Sequence, residues 1–196
     1  MMDAGERIDD DRLAELRADY VGRLHGRVLE LGAGEGENLD LLSAGVIWAG
    51  IEPDDERRDR LAAAADAHGR PAPFAARAEE LPLPDESVDA VLATWVLCSV
   101  DDLPAALVEV RRVLVPGGRV VFVDHVIAPP RTLKRFVQHT VTPFTAHFQH
   151  GCHWNRDPAS ALAEAGFAGL DVRRHTVTGR GPLGMPVLLF DGVLAA

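Results

Sequence analysis

The sequence predicts an α/β fold, a seven-stranded and mostly parallel sheet with helices on both faces. Two observations carry this prediction. Short runs rich in Val, Leu and Ile recur along the chain, and segments with apolar residues at helical spacing separate them. A strand that reads as a continuous apolar run is buried on both faces, and strands that alternate with helices build a parallel sheet covered on both sides. A length of 196 residues predicts a single domain, residues 1–196, and an apolar content of 47% is ample for its core.

The elements follow in order. Leu13, Leu16, Tyr20 and Leu24 recur at helical spacing, so residues 10–24 read as an amphipathic helix. Residues 27–31 form the first strand, 37–43 start a helix, and 46–51 form the second strand. Residues 54–68 make an alanine-rich helix, with Asp54 and Asp55 at the positive end of its dipole and Gly69 as its stop. Residues 71–75 read as a short strand, 81–86 as a proline-punctuated turn, and 87–94 as a buried strand. Residues 103–114 carry Leu103, Leu107, Val110 and Leu114 on one helical face; Pro116-Gly117-Gly118 ends that helix, and 119–127 is a strand. After residue 128 the pattern breaks, and Pro129 and Pro130 precede an aromatic, histidine-rich stretch to Trp154. Asp157-Pro158 caps a helix ending near Gly166. Apolar runs at 167–177 and 185–194 suit an antiparallel pair at the sheet edge.

Residues 28–36 read Val-Leu-Glu-Leu-Gly-Ala-Gly-Glu-Gly, and Glu52 ends the next apolar run. Gly32, Gly34 and Gly36 let the backbone turn sharply and approach a ligand. An acidic residue about 20 positions on is placed to accept hydrogen bonds from ribose hydroxyls. The pairing points to a nucleoside-containing cofactor. A dinucleotide fingerprint needs a third glycine where this chain has Glu37, and Glu30, Glu35 and Glu37 would repel a pyrophosphate. That counts against a dehydrogenase. The acidic loop suits a ligand with an ammonium group and no phosphate, such as S-adenosylmethionine. The plainer reading is a tight strand-to-helix turn with surface glutamates.

A formal charge of −10 disfavours nucleic acid as a partner, since that needs a basic patch. Residues 129–153 are a local exception, with Arg131, Lys134, Arg135, four histidines and no acid. Two cysteines, Cys98 and Cys152, make no disulfide framework, and with no signal-peptide pattern a reducing cytoplasm is expected. No run approaches the roughly 20 apolar residues of a membrane span, which leaves contact with a membrane surface open. The sequence carries no signal of oligomeric state.

The chain resembles the class I S-adenosylmethionine-dependent methyltransferases, which have a Rossmann-like fold. Four motifs carry the resemblance across residues 27–126: Val28 to Gly36; Ile51-Glu52-Pro53; Ala78-Glu79-Glu80-Leu81-Pro82 with Asp85 to Asp89; and Val110 to Gly118. The resemblance implies that Glu30 and the loop Gly32 to Gly36, Ala33 and Gly34 included, line the methionine and ribose part of S-adenosylmethionine. It implies that Glu52, beside Pro53, holds the ribose hydroxyls. Arg77, Ala78 and Glu79 would approach the adenine, and Thr94 and Trp95 would lie beside the methyl group. Val96 to Val100, Asp124-His125-Val126, Gly151-Cys152 and Asn155-Arg156-Asp157 further resemble the small alkyl-thiol methyltransferases. Animal members of that group carry an N-terminal membrane anchor, which is not expected here. The broader branch includes ubiquinone, phospholipid and arsenite methyltransferases. Residues 127–196 are then the acceptor side.

The implied function is methyl transfer to a small, apolar acceptor, with a thiol favoured. An O- or N-methyltransferase of a small metabolite or lipid headgroup, and a cofactor-binding protein without catalysis, are the alternatives. Transfer from a sulfonium is an in-line displacement, so positioning supplies much of the effect. A thiol with a pKa near ~8.5 needs only a nearby imidazole to become thiolate. His125, His150 and His153 are the candidates, because His125 ends a parallel strand and the others lie in the histidine-rich stretch. His147, His150, Cys152 and His153 do not match a familiar zinc spacing, and no metal is expected. Cys98 reads as a small buried hydrophobe. Trp95 and Trp154 suit pocket walls or core, and Phe136, Phe144 and Phe148 suit a lid over an apolar acceptor or one face of a packed helix.

Overall fold

The strand-forming runs pair as one seven-stranded sheet in the computed structural model, which describes residues 5–148, 155–180 and 183–195. The strands are β1 (Glu6–Ile8), β2 (Arg27–Leu31), β3 (Ile47–Gly50), β4 (Val88–Thr94), β5 (Leu114–His125), β6 (Phe167–Val177) and β7 (Met185–Leu194). The helices are α1 (Asp10–Gly22), α2 (Asp55–Ala67), α3 (Leu103–Val113), α4 (Leu133–Phe148) and α5 (Pro158–Glu164). The strand order is β1-β6-β7-β5-β4-β2-β3, and only β7 runs against its neighbours.

The two-residue period of the strands sorts their side chains into two cores. Val120 and Phe122 of β5, with Leu188 and Phe190 of β7, pack with Leu107 and Val110 of α3 and Leu162 of α5. Val121, Val123, Val187 and Leu189 pack on the other face with Leu16 and Tyr20 of α1 and Leu61 of α2. The helix starts obey capping chemistry: Asp9, Asp54 and Asp102 each accept an N–H from three residues on.

Three details depart from the sequence reading. Residues 37–43 form only a single 3₁₀ turn, Leu39–Leu41, because Asn38 turns inward and Leu42 is already extended. Residues 71–75 contribute only Phe74, bridged to Ile51, since Pro71 and Pro73 have no N–H to give a ladder. The antiparallel pair is not the sheet edge, because β1 adds parallel to β6 outside it. The seventh strand is therefore β1.

Candidate active site

The carboxyl ends of parallel strands are where an open α/β sheet leaves room for a ligand. Here the ends of β2, β3, β4 and β5 border a cavity of about 680 Å³. Gly32, Glu52, Pro53, Arg77, Ala78, Glu79, Thr94, Trp95 and His125 all line it. These nine sequence-predicted residues therefore converge, although up to 93 positions separate them in the chain.

The glycine loop makes the first wall. Gly32 has φ +51°, and an added Cβ would lie 2.8 Å from Val96 Cγ2, so the turn needs glycine for both space and conformation. Ala33 N–H donates to Ile51 O at 2.9 Å, which ties the loop to the end of β3. Gly34 N–H then donates to Glu52 Oε2 at 3.0 Å, and Asp54 N–H donates to Oε1 at 3.1 Å. Glu52 is only 4% exposed yet faces the cavity. Its carboxylate is fixed by two backbone donors and keeps acceptor capacity for two more. Ala33 itself packs in the α1–α2 core, so it shapes the loop rather than the wall.

Glu30 departs from its expected place. It is buried within β2, and its oxygens accept from Asn38 Nδ2 at 2.7 Å and Trp48 Nε1 at 2.8 Å. It is absent from the cavity wall. Burial pushes its carboxyl up to about 7, against the pull of both hydrogen bonds. Asn38 Nδ2 also donates to Thr94 Oγ1 at 2.9 Å, so Glu30 positions a wall residue through Asn38. Glu37 is the loop acid that lines the cavity, while Glu35 pairs with Arg60 at 3.0 Å.

The opposite end is built at the ends of β4 and β5. Trp95 has φ +63°, an uncommon conformation for a bulky side chain and one that marks functional positions. Its N–H donates to Val123 O at 2.8 Å, which holds the strain in place. The indole lies 4.9 Å from the His125 ring. Cys98 Sγ sits 3.8 Å from His125 Nδ1. Cys98 is thus both the buried residue expected and part of the wall. Beneath them Asp124 is buried, accepting from Cys98 N–H at 3.3 Å and His125 N–H at 2.8 Å. Burial raises the Asp124 carboxyl above its ordinary range. Cys98, Asp124 and His125 offer donor atoms within 4.8 Å of one another, but the Asp124 oxygens already hold two backbone amides.

The third wall joins two loops. Glu79 Oε1 accepts the N–H groups of Asp101 and Asp102 at 2.8 and 3.1 Å, and Arg77 pairs with Asp101. Arg156 Nη1 donates to the carbonyls of Leu97 and Val100 and so clamps the 97–101 turn from outside.

Sequence reasoning missed Arg17 and Arg57, which also line the cavity. The Arg17 Nε is buried without a hydrogen-bond partner among the described residues. Its signal was a cation on the same helical face as Leu13, Leu16 and Tyr20. His150, His153, Cys152 and Trp154 lie outside the described residues, as do the side chains of His147, Phe144 and Phe148. Phe136 is 70% exposed and does not line the cavity, so it is no part of a lid in this structure.

Residues 29–122 match the model of the methyltransferase domain family. Thiol S-methyltransferase TMT1A of Homo sapiens is 34% identical over 150 residues, 74% of this chain and 62% of that protein. Phosphatidylethanolamine N-methyltransferase of Cereibacter sphaeroides is 32% identical over 143 residues, 71% of this chain and 68% of that protein. The chain thus spans less than two thirds of the length of the human thiol methyltransferase. The crystal structure of the YcgJ protein from Bacillus subtilis shares the fold, with a TM-score of 0.75 over 95% of this chain and 99% of that one at 17% identity.

Proposed function

Because the chain belongs to the class I S-adenosylmethionine-dependent methyltransferases, we propose that it methylates a small, apolar acceptor, with a thiol as first choice. The observation that carries the reading is the single cavity running from the Glu52 carboxylate to the His125 imidazole.

The residues present fit S-adenosylmethionine. A cavity of about 680 Å³ is within the range of small-molecule sites. Glu52 is a fixed acceptor for ribose hydroxyls, and Gly32 leaves the backbone open beside it. Arg77, Ala78 and Glu79 would flank the adenine. Arg17 lines the cavity, and its guanidinium offers a cation to the ligand's carboxylate. When bound, S-adenosylmethionine supplies a methyl group on a positively charged sulfur. Thr94 and Trp95 wall the acceptor end, and the Trp95 indole packs against the His125 ring there. His125 takes the acceptor's proton, a modest task for a thiol. Residues 27–126 are the cofactor-binding half, and 127–196 the acceptor side.

A second reading, an amine of a lipid headgroup as acceptor, is favoured by the likeness to the phosphatidylethanolamine N-methyltransferase. An acceptor screen with methyl-labelled S-adenosylmethionine separates the two. Labelled thioether from small thiols supports the first reading. Label in phosphatidylethanolamine alone replaces it with the second. No product from any acceptor, with cofactor binding intact, leaves a non-catalytic binder.

A further inference from the structure

A cation from the C-terminal half of the chain reaches the indole at the end of the cavity. β6 ends at Val177, and Thr178 then fastens to the residues ahead of α1: its N–H and its Oγ1 both donate to Ile8 O, at 2.8 and 3.1 Å. Two residues on, Arg180 Nε donates to Asp10 Oδ1 at 2.6 Å. Asp10 opens α1 just after its capping residue Asp9, and that helix packs on the sheet through Leu13, Leu16 and Tyr20, so the carboxylate has a rigid base. The Arg180 guanidinium carbon lies over the Trp95 ring, 5.6 Å from its centre. A cation within about 6 Å of an aromatic centroid is attracted by the ring quadrupole, and indole attracts it best.

The contact falls on a residue whose orientation matters. Trp95 lines the cavity, and its indole meets the His125 ring at 4.9 Å with the planes tilted by 40°. The bond from Trp95 N–H to Val123 O holds the backbone at φ +63° but leaves the rotamer of the ring free. The angle of the indole is set by what touches it, which includes the core under α1, His125 and Arg180. Arg180 and Asp10 are 42% and 53% exposed, so their ion pair contributes little to stability. Its removal is therefore felt at Trp95 and not in the fold.

We propose that Arg180 is a positioning residue for methyl transfer. Braced by Asp10, it holds the Trp95 indole at its angle to His125 and so keeps the shape of the acceptor end. Arg180 itself is outside the cavity wall and acts through Trp95. The role rests on the reading of this end of the cavity as the acceptor end. Alignment of acceptor and methyl donor supplies much of the rate, so a small shift of that wall is costly.

The test uses the full chain labelled with fluorotryptophan, in which Trp48, Trp95 and Trp154 each give a fluorine resonance and Trp95→Phe identifies that of Trp95 by its loss. Arg180→Gln should move the Trp95 resonance and leave that of Trp48 in place. It should lower kcat/KM for a small thiol by about tenfold, with calorimetric affinity for S-adenosylhomocysteine unchanged. Arg180→Lys keeps the cation and should restore the rate to within about threefold of the wild type. Asp10→Asn should act in the same direction, and added to Arg180→Gln it should cause no further loss. With the wild type turning over thiol, an unmoved Trp95 resonance or an unchanged kcat/KM in Arg180→Gln would overturn the role of Arg180 alone. Equal losses in Arg180→Lys and Arg180→Gln would do so too, since the charge would then be irrelevant. A wild type that methylates no acceptor would overturn the acceptor reading and the positioning role with it.

Discussion

Trp95 and His125 show how much of the site is decided by single residues. A strained backbone at Trp95, held by Val123, sets the indole against the imidazole at the end of the cavity. If His125 is the base, His125→Ala should cut turnover by about 10²-fold or more. Calorimetric affinity for S-adenosylhomocysteine should stay near the wild-type value; unchanged turnover would make His125 a packing residue. Glu30 makes a different kind of prediction. Its carboxyl titrates at about 7 in the folded chain, against an ordinary 4.5. Between those values the folded state holds a proton that the unfolded state has released, so stability falls as pH rises through that window. The upper bound on the effect is about 3 kcal/mol. Glu30→Gln should remove that slope, because the amide does not titrate. Melting temperatures of both proteins from pH 5 to 8 would check it, and parallel curves would exclude Glu30 as the source.

At the scale of elements, β1 has the clearest local requirement. Gly5 has φ +68°, and a Cβ there would lie 1.8 Å from Arg174 O on β6. Gly5→Ala should therefore detach the strand, costing about 1–3 kcal/mol. Hydrogen exchange should lose protection at Glu6 to Ile8 while cofactor affinity holds; retained protection would show that the backbone shifts to make room. The same strand shows where sequence reading stops. Three residues with one buried side chain carry no period, so nothing in the pattern of Glu6 to Ile8 reveals a strand. Residues 71–75 err in the opposite direction, since Pro71 and Pro73 already spoke against a strand there. Strands that read as apolar runs were legible: residues 27–31, 167–177 and 185–194 form as read. Cavity-lining residues were legible where a motif fixes their place at a strand end, as with Glu52, Thr94 and His125. Arg17 was not, because its approach to the cavity depends on how α1 packs across the sheet. Arg156 belongs to a recognisable Asn155-Arg156-Asp157 run, yet its grip on the carbonyls of Leu97 and Val100 is visible only in three dimensions.

The cavity ties the whole molecule together, because its walls come from α1, α2 and the ends of β2 to β5 with their loops. None of these walls exists in the unfolded chain, so a ligand that fills the cavity binds only the folded state. At a free concentration a hundredfold above Kd such a ligand stabilises by about 2.7 kcal/mol. For a chain of this size that corresponds to a rise in Tm of about 5–10 °C. S-adenosylhomocysteine should produce it. NADH should not, because Glu37 in the wall opposes a pyrophosphate. Glu52→Ala removes a buried charged acceptor from the ribose side, and the lost hydrogen bonds should weaken binding by about 10- to 100-fold. At the same ligand concentration most of the thermal shift should then vanish. The variant also frees the N–H groups of Gly34 and Asp54, so its own Tm without ligand is the baseline for comparison. A shift of wild-type size in Glu52→Ala would move the ribose site away from Glu52. An equal shift with NADH would show that the acidic loop does not discriminate against phosphate.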